Sequence, residues 1–250
     1  MNRLPRAPLQ EVIFEIRWKL ETDPSTGQMI DKHFELAGGR LQDLTKAEFP
    51  FYNRKIPGFI PFQQFPYQII HQFWKGNGLW PVIQLGPGIY TVNDTDKNYE
   101  WNKTYLPLIK KGIEWLYQSY SDPLEINACS LRYIDSVKVK EHSFTGNWSE
   151  FIYKNLKIKI ENNFKTTGKQ EHLQMHQTFL LDNGNDFSLS INDANDAKTG
   201  ETVLVWQTVV IHKVKINKEH LIDWVREAHK TTSDLFKEMA KGDFYDSFSK

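Results

Sequence analysis

Two arginines stand in matching surroundings, Arg17 in Glu15-Ile16-Arg17-Trp18 and Arg132 in Leu131-Arg132-Tyr133-Ile134. Each lies between apolar neighbours on what reads as a half-buried strand, on its less apolar side. A guanidinium presents its donors in a rigid planar fork that matches phosphate or carboxylate. Two of them converging on one sheet face would make an anion-recognising surface. The alternative is that Glu11, Glu15 and Asp135, close in sequence, pair with them as structural bridges. The further candidates for ligand or partner contact are Glu15 and Tyr133 beside the arginines, Gln84 next to the Gly86-Pro87-Gly88 bend, and Phe59 and Phe62 in a ring-rich stretch stiffened by Pro50, Pro57, Pro61 and Pro66. Rings on a proline-stiffened loop lose little entropy on contact and suit a protein, a lipid surface or unstacked bases. Equally, they can cap an open end of the core.

Other clusters give less. Gln84, Asn93, Asp94 and Thr95 flank the Gly-rich bend, but no helix starts after it and no lysine follows at phosphate-loop spacing, so it reads as a bulged hairpin. His172 and His176 would share a metal on a helix. The alternation of Leu173, Met175, Gln177, Phe179 and Leu181 predicts a strand instead, which sets the two rings ~13 Å apart. Residues 182–186 and 193–196 resemble calcium loops in composition but lack the ligand spacing and the closing glutamate, and are read as turns. No nucleophile elbow, phosphate-binding loop, dinucleotide fingerprint or zinc quartet occurs. No catalytic residue, cofactor or metal is expected.

Lys plus Arg and Asp plus Glu balance at 31 each, so net charge steers the chain toward neither nucleic acid nor an anionic membrane. The single cysteine, Cys129, cannot pair within the chain and reads as core packing in a reduced, cytoplasmic protein. The N-terminal residues carry no signal peptide, and no stretch approaches the ~20 apolar residues of a membrane span. Eight tryptophans are more than a core of this size needs, which predicts rings on a surface that something else covers.

The elements that must position these groups follow from periodicity. Residues 9–20 alternate, with Val12, Phe14, Ile16, Trp18 and Leu20 on one face and Glu11, Glu15, Arg17 and Lys19 on the other. A helix is expected over 28–44, weakened at Gly38-Gly39, then a long loop or edge segment over 49–66. Strands over 67–74 and 80–93 form a hairpin about Lys75-Gly76-Asn77-Gly78, with a bulge or bend at 86–88. A helix over 99–120 carries Pro107 early. The order then repeats: strand 126–139, helix 148–160, strands 173–181, 187–191 and 202–211, and a helix over 216–239, with a loosely held tail from Gly242. The expected fold is α+β, a pseudo-duplicated pair of halves (1–122 and 123–250) forming one curved antiparallel sheet with helices mainly on one face.

The segments Pro8-Leu9-Gln10-Glu11-Val12-Ile13-Phe14-Glu15-Ile16-Arg17, Trp80-Pro81-Val82-Ile83-Gln84-Leu85-Gly86-Pro87-Gly88 and Leu131-Arg132-Tyr133-Ile134-Asp135 occur here in that order. In them the chain resembles a sporadically distributed family of bacterial proteins of about this length whose function is uncharacterised. Asp135 departs from the pattern, where Asn is expected. The resemblance implies a cytosolic accessory protein of patchy distribution, as in antiphage defence or toxin-linked operons.

The expected function is therefore a non-enzymatic recognition or regulatory module with a protein partner, such as a neighbouring gene product. The alternative is binding of single-stranded nucleic acid or a nucleotide on the sheet face, with an unrecognised hydrolase or transferase as a third reading. A homodimer is compatible with either binding role.

Overall fold

Strict alternation in residues 9–20 produces β1 (Leu9–Trp18), with Val12, Phe14, Ile16 and Trp18 buried and Arg17 exposed on the opposite side. The computed structural model describes residues 4–95, 97, 99–165, 167–168 and 170–249. After β1 come β2 (Glu21–Thr22) and β3 (Met29–Ile30), which pair as a small ribbon, then α1 (Phe34–Thr45), β4 (Phe51–Arg54), β5 (His71–Gly76), β6 (Leu79–Gly86) and β7 (Ile89–Asp94). A π-helical turn (Trp101–Tyr105) leads into α2 (Leu106–Ser119), with Pro107 in its first turn. The rest of the chain forms β8 (Ile126–Lys138), α3 (Trp148–Leu156), β9 (Gln174–Leu180), β10 (Asp186–Asn195), β11 (Thr202–His212), α4 (Lys218–Ala240) and α5 (Asp243–Ser247). The fold is α+β, with a nine-stranded antiparallel sheet in the order β4-β5-β6-β7-β1-β8-β11-β10-β9.

The chain packs as two units that interleave in sequence. One comprises Glu11–Leu131 with Ile211–Val225; the other comprises the chain up to Gln10, Arg132–Val210, and the residues from Arg226 on.

In the 11–131 unit, α1 and α2 lie on the face that carries Phe14, Tyr90 and Val92. Gly112 of α2 passes so close that a Cβ there would stand 2.7 Å from the Tyr90 hydroxyl. Asp31 ties this unit together. Its buried carboxylate accepts from Trp18 Nε1 at 3.2 Å, from the Tyr120 hydroxyl at 2.8 Å and from the Gly88 amide at 3.2 Å. One side chain thereby joins β1, the end of α2 and the turn after β6.

Several expectations are corrected here. Residues 29–30 join the small ribbon, and α1 starts only at Phe34. Gly38 does not break α1, because its bare Cα is where the His71 ring packs, 3.1 Å from the position of a Cβ. The single strand expected over 80–93 is two strands. Gly86 pairs with Ile89 across Pro87-Gly88, and Gly88 takes φ +77 in the arrangement of a type II turn.

In the 132–210 unit, α3 stops at Leu156, where Lys157 adopts the left-handed φ of +56 that ends a helix. β10 runs on to Asn195. The tail is not loose: α5 buries Phe244, Phe248 is buried beyond it, and Phe244 packs on Trp206 and His142.

Candidate functional site

The register of the hairpins in the 11–131 unit lines up one polar row on the face turned away from α1 and α2. Asn53 stands opposite Gln72, Gln72 opposite Gln84, Gln84 opposite Thr91, and Thr91 opposite Glu15, so the row crosses five strands. Two neighbouring pairs in it are bonded. Asn53 Nδ2 donates to Gln72 Oε1 at 3.0 Å, and the Thr91 hydroxyl donates to Gln84 Oε1 at 3.1 Å. Gln72 and Thr91 are buried, so Asn53, Gln84 and Glu15 are the members that a partner would touch, and side chains held by their neighbours lose little freedom when it arrives.

Beside this row runs a mixed one: Phe51, Trp74, Val82, Asn93 and Ile13 in cross-strand succession. Phe51 is exposed, and Trp74 meets Trp80 edge to face at 5.3 Å. Asn93 is buried; its Nδ2 donates to Glu11 Oε1 at 2.7 Å while its Oδ1 has no hydrogen-bond partner among the described residues. The amide cannot be turned over, since that would set its oxygen against the Glu11 carboxylate.

Arg17 lies at the end of this face. Its Nε donates to Glu15 Oε1 at 2.7 Å, its guanidinium stands 5.8 Å from the Tyr67 ring centre, and its side chain is 44% exposed. Its terminal nitrogens make no hydrogen bond among the described residues. The acidic-bridge alternative therefore holds for Arg17 through Glu15, whereas Glu11 serves Asn93.

In the 132–210 unit the pattern differs. Tyr133 points to the helix side of β8, where its hydroxyl meets His229 Nδ1 of α4 at 2.8 Å. Arg132, one residue earlier, belongs to the opposite face; it is half-buried and makes no ion pair among the described residues. Asp135 alternates with Tyr133 on the helix side, so it cannot serve Arg132. Burial pushes its carboxyl up to about 7.

Of the candidates in the 11–131 unit, Glu15, Arg17 and Gln84 share one face. Phe59 is 86% exposed on the loop before β5, whereas Phe62 packs on Phe34 of α1 at 5.0 Å, on the helix side. Phe62 and Tyr133 are each half-buried against a helix. The residues that sequence reasoning missed are Asn53, Gln72 and Thr91. Their signal was a polar residue within an apolar strand, unreadable until the register aligned them.

The two most perturbed histidines lie one in each unit. Burial holds His71 and His229 down to about 4, and each shares a proton contact with a tyrosine, Tyr52 at 2.7 Å and Tyr133 at 2.8 Å. His172 is bonded to Asp193 and His176 to Ser190, each at its own place. Among the described residues no three His, Cys, Asp or Glu side chains are grouped to hold a metal ion. Burial pushes the Cys129 thiol up, which keeps it protonated and inert. No helix among the described residues is long and apolar enough to cross a membrane. No family model and no curated protein matches the chain.

Proposed function

We propose that the chain is a non-enzymatic recognition module whose partner lies across the helix-free sheet face of the 11–131 unit. The observation that carries this reading is the polar row from Asn53 to Glu15, bonded pairwise at Asn53–Gln72 and Gln84–Thr91, reached through Asn53, Gln84 and Glu15, flanked by Phe51, Trp74 and Trp80 and ended by Arg17. Polar groups fixed by one another, beside an exposed ring such as Phe51, are the ingredients of a specific contact surface. The resemblance noted above adds that the partner is a protein encoded by a neighbouring gene, with the chain as an accessory component of a defence or toxin-linked operon.

The test is capture from the native lysate by the wild-type chain and by the Arg17→Ala/Gln84→Ala variant, with melting temperature as a control. A specific protein should be retained by the wild type and lost by at least tenfold in the variant, while the melting temperature moves by no more than a few degrees. Retention unchanged by the double substitution rejects this face.

One observation favours a second reading, in which the ligand is single-stranded nucleic acid. The Trp74–Trp80 pair and the Arg17–Tyr67 stack offer ring faces beside a cation. Binding of a mixed single-stranded oligonucleotide that weakens steeply with salt, and that Trp74→Ala reduces, would select it over the protein partner.

A further inference from the structure

The sheet has two ends, and they are guarded differently. β4, at one end, is four residues long and carries Arg54, with Pro50 before it and Lys55 and Pro57 after it. Short length, charge and proline are the usual devices that stop an edge strand from pairing with another chain. β9, at the other end, has none of them. It runs for seven residues, Gln174-Met175-His176-Gln177-Thr178-Phe179-Leu180, with no Lys, Arg, Asp, Glu, Pro or Gly. Every residue of it except Met175 is exposed, including Phe179 at 46% and Leu180 at 77%. Its inner edge is paired with β10 from Asp186↔Leu180 to Asn192↔Gln174. On its outer edge no backbone hydrogen bond arrives from outside the sheet among the described residues.

The sequence of β9 is complementary to itself when reversed. Centred on Gln177, an antiparallel copy sets Met175 opposite Phe179 of the second copy, His176 opposite Thr178 of the second copy, and Gln174 opposite Leu180 of the second copy. The pairs on the Phe179 side bring a thioether against a ring, which is a favourable contact. On the other side His176, whose ring nitrogens meet Ser190 and Thr178 within its own copy, stands opposite Thr178 of the second copy, and Gln174 stands opposite Leu180 of the second copy with no matched contact. No like charges meet anywhere along the pair.

We propose that two copies of this chain associate by antiparallel pairing of β9 with β9 about a twofold axis at Gln177. Such an isologous contact closes on itself and uses up the open edge, so it makes dimers rather than fibres. One seven-residue strand a side is small beside standard interfaces, which places the contact among weak, concentration-dependent associations.

The experiment is light scattering coupled to size exclusion, with sedimentation equilibrium, from low to high protein concentration. The wild type should move from the 29.4 kDa chain mass toward twice that value as concentration rises. Gln177→Lys and Gln177→Glu each place two like charges opposite one another at the axis, and each should weaken the dimer about fivefold or more. Gln177 is exposed, so neither change should alter the melting curve. An equimolar mixture of the two variants should restore the dimer by pairing Lys with Glu. A wild type that stays monomeric throughout, a dimer indifferent to either substitution, or a mixture that fails to recover it would each overturn the proposal.

Discussion

Asp135 is buried, 8% exposed, and its carboxyl makes no hydrogen bond or ion pair among the described residues. Its carboxyl is held at about 7, against 3.8 when free. Between those values the folded chain keeps a proton that the unfolded chain loses. This stabilisation is fully present below about pH 4 and is lost as pH rises through 7. His71 and His229 act in the opposite sense. Both fall from 6.5 to about 4 on burial, so the unfolded chain binds the extra protons, and their contribution, present above pH 6.5, is lost as pH falls through 4. Asp135→Asn keeps the shape and removes the charge. It should raise stability at pH 8 by about 2–4 kcal/mol and leave it nearly unchanged at pH 4. Calorimetric melting temperatures across that range will show it, and an equal gain at both ends would mean that Asp135 does not titrate in this window.

At the scale of elements, the β6–β7 turn decides whether the polar row exists, because it sets the register that aligns Gln84 with Thr91. Gly86 has no room for a side chain, since a Cβ there would lie 1.8 Å from the Gln68 carbonyl oxygen. Gly86→Ala should therefore cost about 2 kcal/mol or more in chemical denaturation. Gly39→Ala, at a helical position with nothing within 4 Å, should instead stabilise by about 0.5–1 kcal/mol. The contrast between the two glycines separates crowding from backbone freedom. It also shows what was legible in the chain. The faces of β1 could be read from alternation, and the β5–β6 hairpin from Asn77-Gly78. The β6–β7 turn reads from sequence only as a bulge or bend at 86–88, because Pro87 and Gly88 are buried between apolar strands and no polar break marks them. For the same reason Glu15, Arg17 and Gln84 could be assigned outward, while Asn53, Gln72 and Thr91 joined them only through register. The contacts of Tyr133 with His229 and of Phe62 with Phe34 were not legible either, because local pattern does not say which helix stands across from a ring.

At the scale of the whole molecule, the chain is not assembled as one half after another. The 11–131 unit runs past residue 122 and takes in 211–225 as well. Those two segments bring buried Ile126, Cys129, Leu131, Leu221, Trp224 and Val225. They also bring backbone bonds from Lys19 N to the Glu125 carbonyl at 3.0 Å and from Ile216 N to the Ile126 carbonyl at 3.2 Å. A fragment of residues 1–122 would lack this apolar surface, and each fully buried side chain of that size contributes about 1.5–3 kcal/mol. Losing several of them exceeds the total stability of an ordinary domain. The fragment 1–122 should therefore show no cooperative transition on heating, as followed by circular dichroism. Mixed with the fragment 123–250, which supplies both missing segments, it should regain one. A cooperative melt by 1–122 alone would mean that the first half carries its own core and that the interleaving adds nothing to its folding.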